Sequence, residues 1–368
     1  MDKIKARIEK VRDKFDSEEI DGILIFIAEN RFYLSGFEGE DSQFDETAGI
    51  LAIGKNKLVL ATDSRFTFDA KTQAPLYEVY CYKKGLAKEL PDIMEAAGIK
   101  KAGFESVRVS YDLFDRMDKS VKESRKNLIL KPVSGIVEKL RQLKDEDEID
   151  QIKKALETAE KGLLKIKPDL KPGMTEEEGA WLLEKTLREM GAQGLSFSTI
   201  TASGINAAKP HAVPSEKIFK EKETILFDWG ILINRYCSDI TRSFYLNKKD
   251  SEFDKIFSIV KKAQDAGTNA IKAGVKAKDA DKAARDIIEK SGYGKYFGHG
   301  LGHGVGLAVH EAPRLSPLTD EVLEEGMVVT IEPGIYIPEW GGIRLENMAV
   351  VRKDGAEILN TTKPEDFL

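Results

Sequence analysis

The sequence predicts two joined domains, an α/β domain first and an α+β domain after it, and three observations carry that expectation. The 368 residues are more than one ordinary core holds, since domains run to roughly 100–200 residues. Up to about Leu130, short apolar runs alternate with amphipathic ones; beyond it, long helix-periodic stretches come first and β-patterned pieces follow. A mean hydropathy of −0.35 with 41% hydrophobic residues leaves both parts enough apolar material for a core.

In the first part, residues 22–28, 49–53, 58–61 and 77–82 read as strands, and 86–97 and 111–123 as helices. The expected boundaries are 1–130 for this domain, 131–143 for a linker opened by Lys131-Pro132-Val133-Ser134-Gly135, and 144–368 for the second domain. Residues 136–167 keep an apolar face through Ile149, Ile152 and Leu156. Thr175 with Glu178 is a capping box that starts a helix, stopped by Gly191. Two more helices are expected from Ser251 and over 279–290, and strands over 224–233, 236–245, 327–337 and 342–352.

Charge and cysteine usage exclude several classes. The net charge is −6 and the pI about 5.6, with no basic stripe for a phosphate backbone, so nucleic acid is not an expected partner. Cys81 and Cys237 are too few for a disulfide framework, and the opening residues alternate charge where a signal peptide would be apolar. No membrane partner is expected, and a cytoplasmic location is.

The rare residues then cluster. All four histidines (His211, His299, His303 and His310) lie in the second part, beside carboxylates set within apolar strands at Asp228, Asp239, Glu332 and Glu346. Ionised carboxylates are seldom buried without a partner. If Asn234-Arg235 is a two-residue hairpin turn, Asp228 faces Thr241 and Asp239 faces Gly230, all on one face, while Phe227, Trp229, Ile231, Tyr236 and Ile240 take the core face. The same parity puts Arg344 on the face of Glu346. In residues 298–306 every even position is glycine, giving a bare face for close backbone approach and no dinucleotide fingerprint. At about 3.3 Å per residue, His299 and His303 stand roughly 13 Å apart, so only one of them should ligate.

Four carboxylates and one imidazole carry about four negative charges, which two divalent cations neutralise. Oxygen-rich ligation with one imidazole suits manganese or cobalt, with zinc or iron as other choices, and argues against a thiolate site. Cys237 reads as a small buried hydrophobe.

These strings resemble the pita-bread-fold metallopeptidases, in particular the prolidase and aminopeptidase P branch, and the first part, with Asn30-Arg31-Phe32-Tyr33-Leu34-Ser35-Gly36-Phe37, resembles a creatinase-type leading domain. The resemblance implies Asp228, Asp239, His303, Glu332 and Glu346 as metal ligands, with Asp239 and Glu346 bridging two ions. It implies His211, His299 and His310 as histidines lining the substrate pocket, with Arg314 expected there too, and Arg344 as the support of the bridging Glu346. The implied reaction is hydrolysis of the Xaa-Pro bond in dipeptides or short proline-containing peptides, with Glu332 passing the proton and His310 and His211 steadying the oxyanion. An aminopeptidase acting on longer peptides is the alternative, and a homodimer is expected. A creatinase-like hydrolase or a non-catalytic binding module would not need this ligand set, and a methionine aminopeptidase would lack the leading domain.

Overall fold

The computed structural model describes every residue except Ser42, Phe44, Asp45, Lys249 and Asp250. The chain divides into two compact units, Met1–Arg141 and Gln142–Leu368.

The first unit is built on a mixed sheet ordered Glu78–Cys81, Leu58–Thr62, Ile50–Gly54, Gly22–Ile25, Lys101–Glu105, Ile129–Val133. Helices Leu86–Ala96 and Tyr111–Glu123 pack on it through Leu90, Ile93, Met94, Met117 and Val121. The first strand stops at Ile25, and Ala28 starts helix Ala28–Ser35 instead of ending a strand. Glu105 decides this: its carboxylate accepts from the amides of Phe26 and Ile27 and from Asn30 Nδ2. Residues 131–143, expected as a linker, are folded. Ile129–Val133 is the edge strand of the sheet, where Pro132 is tolerated, and helix Ile136–Gln142 follows with Ile136 and Val137 buried.

In the second unit, helix Glu146–Ile166 starts at a capping box formed by Asp145 and Glu148, which ends the expected continuous helix at 143–145. Thr175 and Glu178 cap helix Glu176–Glu189 in the same way. Helices Ser251–Ala270 and Ala277–Lys290 share one core with Val329, Ile331, Ile335, Ile343 and Ala349 from the strands. The strands form small abutting sheets. One is ordered Ile240–Tyr245, Thr224–Trp229, Ile200–Ser203, and the largest is Glu311–Leu315, Gly302–Gly304, Val328–Ile331, Asn347–Val351, Ala356–Ile358.

The hairpin has the two-residue turn the sequence suggests. Asn234 and Arg235 both take positive φ, +48° and +72°, and Ile233 faces Tyr236. That register returns beyond the break, with Asp228 opposite Thr241 and Trp229 opposite Ile240. Each long strand expected from the pattern is nonetheless interrupted, at Gly230, at 238–239, at 332–333 and at 345–346. Gly230 shows why glycine stands there: a Cβ would lie 1.9 Å from the Ser238 carbonyl oxygen. Gly302 and Gly304 are likewise pressed on the carbonyls of Thr330 and Ala312.

Gly230→Ala therefore forces the two hairpin strands apart. We expect a loss of about 1–3 kcal/mol, the usual cost of overpacking, read as a lower urea midpoint with the chain still folded.

Candidate metal centre

The four interruptions converge on one place. Oxygens of Asp228, Asp239 and Glu346 all lie within 4.8 Å of one another, and all three residues are buried. Asp228 comes from strand Thr224–Trp229, whereas Asp239 and Glu346 come from strand breaks, where the backbone leaves the ladder and can aim a side chain inward. His303, on strand Gly302–Gly304, donates from Nδ1 to the Gly304 carbonyl at 3.1 Å. That bond fixes the tautomer and leaves the Nε2 lone pair facing Asp239 Oδ2 at 3.6 Å and Glu332 Oε1 at 3.3 Å. Five residues from five segments are thus brought together.

Arg344 organises one wall. Its Nη2 donates to Asp228 Oδ2 at 2.6 Å, its Nη1 to Tyr336 Oη at 2.9 Å and to the Pro210 carbonyl at 3.2 Å, and its Nε to Thr241 Oγ1 at 3.0 Å. Thr241 Oγ1 in turn donates to Glu346 Oε2 at 2.7 Å, so one guanidinium orients two of the carboxylates. The ring of His299 has both nitrogens engaged inside the protein: Nδ1 donates to Gly300 O at 2.8 Å, and Nε2 accepts from Tyr336 Oη at 2.9 Å. His299 reaches the centre through Tyr336 and Arg344.

Tyr336 was missed in the sequence although its signal was there. Ile335 faces Ile343, so Gly334, Tyr336, Gly342 and Arg344 share a face once Arg344 is placed. His310 packs its ring edge-on against His303, centroids 4.4 Å apart, and its imidazole is exposed. Arg314, opposite His303 in the strand register, is exposed, as is His211 in the loop after Gly204–Ala208; both lie near His310, and the charge of Arg314 bears on it. Cys237 is buried, with Sγ toward the Leu307 carbonyl.

The electrostatics are those of acids held out of water. Burial pushes Asp239 and Glu346 well above the usual carboxylate range, and the neighbouring charges of Asp228 and Glu332 push both further. Glu332 rises to about 7, from burial first, with Arg344 opposing. Burial lowers His299 and His303 to about 4, so both are neutral at neutral pH.

Two model matches and three relatives place the chain. The model of metallopeptidase family M24 matches residues 150–353, and that of the creatinase/prolidase N-terminal domain matches residues 7–143. The chain belongs to metallopeptidase family M24. A relative called Xaa-Pro dipeptidase, from Pyrococcus horikoshii, is 35% identical over 99% of this chain and 99% of its own length. The solved Xaa-Pro dipeptidase of Bacillus anthracis is 38% identical, with a TM-score of 0.91 over 98% of each chain. The X-Pro aminopeptidase of Thermotoga maritima is also 38% identical, with a TM-score of 0.84 over 94% of this chain and 97% of its own. The chain is a metallopeptidase with the pita-bread fold, and M24 membership implies divalent metal ions. The residues fit such ions: Asp228 Oδ1 and Glu346 Oε1 are buried at the centre with no hydrogen-bond donor, which a cation remedies.

Removing the cation should expose these charges. Groups whose folded pKa is raised contribute stability that is lost as pH rises through that value, whereas His299 and His303 stabilise fully above about pH 7. Chelator-treated protein should therefore lose thermal stability as pH rises through about 7, the value to which Glu332 is raised, with Asp239 and Glu346 acting in the same direction, and manganese-loaded protein should not, by thermal unfolding on either side of pH 7. Asp239→Ala and His303→Ala should abolish metal uptake and turnover together, by metal analysis of the purified variants beside an activity assay.

Proposed function

We propose that the protein is an Xaa-Pro dipeptidase, hydrolysing the bond between an N-terminal residue and proline at a two-cation centre held by Asp228, Asp239, His303, Glu332 and Glu346. Asp239 and Glu346 would hold the cations jointly with Asp228, His303 and Glu332, and manganese or cobalt would suit the oxygen-rich set. The observation that supports this best is the convergence of those five residues, two of them with orphaned buried oxygens, beside an exposed imidazole. When bound, divalent cations supply an acidified water and Lewis-acid polarisation of the carbonyl.

The side chains supply the rest. Glu332 is the least buried of the four carboxylates, its side chain 18% exposed, which lets it exchange a proton with the attacking water. It takes a proton from the attacking water as the new C–O bond forms. It returns that proton to the proline nitrogen as the C–N bond breaks, so the imino acid leaves as a neutral amine. His310, exposed at its edge but partly desolvated where its ring meets His303, is held below the usual imidazole range by that desolvation and by Arg314, and hydrogen-bonds the developing oxyanion, with His211 beside it. Arg314 offers the fixed positive charge that a dipeptide's proline carboxylate needs. His299 acts from behind, through Tyr336, rather than by touching substrate. We place the working enzyme in the cytoplasm as a homodimer.

The likeness to the Thermotoga maritima X-Pro aminopeptidase favours a second reading, in which longer peptides are cut. The two separate by rate on an Xaa-Pro dipeptide against an Xaa-Pro-Xaa tripeptide: the proposal requires the dipeptide to be the better substrate, and preference for the tripeptide replaces it with the second reading. His310→Ala should keep its metal and lose about 10²–10³ in kcat, the usual loss for an oxyanion donor, by steady-state kinetics and metal analysis on the same sample. Dialysis against a chelator should abolish turnover, and added manganese or cobalt should restore it.

A further inference from the structure

Arg242 lies on strand Ile240–Tyr245, opposite Phe227, on the face turned away from Asp228 and Thr241. It is 0% exposed, in a place where the pattern of Phe227, Trp229 and Ile240 calls for an apolar residue. A buried guanidinium needs acceptors for most of its donors; Nε of Arg242 has none, so the two Nη groups carry its contacts, and their partners are informative. Nη1 donates to the carbonyl oxygen of Glu346 and to that of Thr241, the latter at 3.1 Å. Nη2 donates to Asn347 Oδ1 at 3.2 Å and to the carbonyl and hydroxyl oxygens of Thr362 at 3.3 and 3.4 Å.

The charge that balances Arg242 is Glu160, also 0% exposed and 3.7 Å away. Glu160 is held by the same segment: its oxygens accept from Asn360 Nδ2 and from the amide and hydroxyl groups of both Thr361 and Thr362. Glu346 itself sits in the break between strands Gly341–Arg344 and Asn347–Val351, so it lacks the backbone ladder that would fix an ordinary strand residue. Its amide donates to the Thr241 carbonyl at 3.1 Å, and its carbonyl is taken by Arg242.

We infer that Arg242, clamped by Glu160 and residues 360–362, is a positioning residue for the cation centre, fixing the backbone of Glu346 so that its carboxylate meets the ions at the right place. This rests on the cation centre proposed above. It assigns a role in metal binding to a clamp that touches no ion and no substrate.

The test titrates metal-stripped protein with manganese chloride, by calorimetry, and reads the dissociation constant. Arg242→Lys keeps the charge but not the forked donors, and its manganese affinity should fall about 10–100-fold, the usual effect of losing the support behind a ligand. Thr362→Val removes only a hydroxyl of the clamp and should show a smaller loss in the same direction. Ile288→Val, in the helical core, lowers stability without touching the clamp and should keep wild-type affinity. Wild-type affinity in both clamp variants overturns the inference, as does an equal loss in Ile288→Val, which makes the effect one of stability alone. If Arg242→Lys does not fold, Thr362→Val decides by itself. If the wild-type protein takes up no manganese, cobalt or zinc, the cation centre fails and this inference falls with it; if the wild type binds and the clamp variants bind equally, only this inference falls.

Discussion

The mutual repulsion of carboxylates held out of water governs this molecule. Two ionised carboxylates about 5 Å apart repel by roughly 3–4 kcal/mol at an effective dielectric near 20, and Asp228, Asp239 and Glu346 form three such pairs. Unopposed, that is comparable with the whole stability of a domain. The fold tolerates it in two ways: burial and mutual repulsion push Asp239 and Glu346 well above the usual carboxylate range, which favours their protonated forms, and Arg344 stands against Asp228. Both are consistent with a centre in which cations finish the charge balance.

That constraint also explains the shape of the sheets. A regular strand alternates its side chains between two faces, so unbroken ladders would spread the carboxylates along those faces. Breaks at 238–239, 332–333 and 345–346 let Asp239, Glu332 and Glu346 leave the pleat. Each break leaves backbone groups to be satisfied, and the chain does so locally. The amide of Ile231 donates to Ser238 Oγ, that of Glu332 to the Leu301 carbonyl, and that of Glu346 to the Thr241 carbonyl. Gly230 and Gly302 then let the displaced strands approach closely enough for the side chains to meet.

What the sequence revealed and what it hid follow the same physics. Acidic residues among apolar neighbours, histidines gathered in one part and a glycine at every second position are local signals, and the centre was legible from them. The Asn234-Arg235 turn was legible too, because a two-residue hairpin fixes the register of everything beyond it. The breaks were not, since an apolar run looks continuous whether or not one residue leaves the ladder. Helix Ala28–Ser35 was hidden for another reason: the two amides just before it, of Phe26 and Ile27, are satisfied by Glu105, whose side chain arrives from a strand more than 70 residues later. Arg242 was hidden by distance as well, its counterion lying 82 residues before it and its clamp 120 residues after.

Two of the buried arginines, Arg242 and Arg344, complete the electrostatic argument from opposite sides. Arg242 has its own counterion in Glu160, so that pair is neutral and acts through geometry. Arg344 has no such private partner: it shares Asp228 with the centre and reaches Glu346 only through the Thr241 hydroxyl. Two divalent cations would cancel the charge of Asp228, Asp239, Glu332 and Glu346, and Arg344 then leaves the centre with one positive charge in surplus. Peptide hydrolysis develops negative charge on the attacked carbonyl oxygen, and a fixed surplus of opposite sign favours that transition state over the neutral ground state. Lysine could supply the same charge, but only the planar fork of arginine can hold Asp228, Tyr336 and Thr241 in one arrangement while doing so.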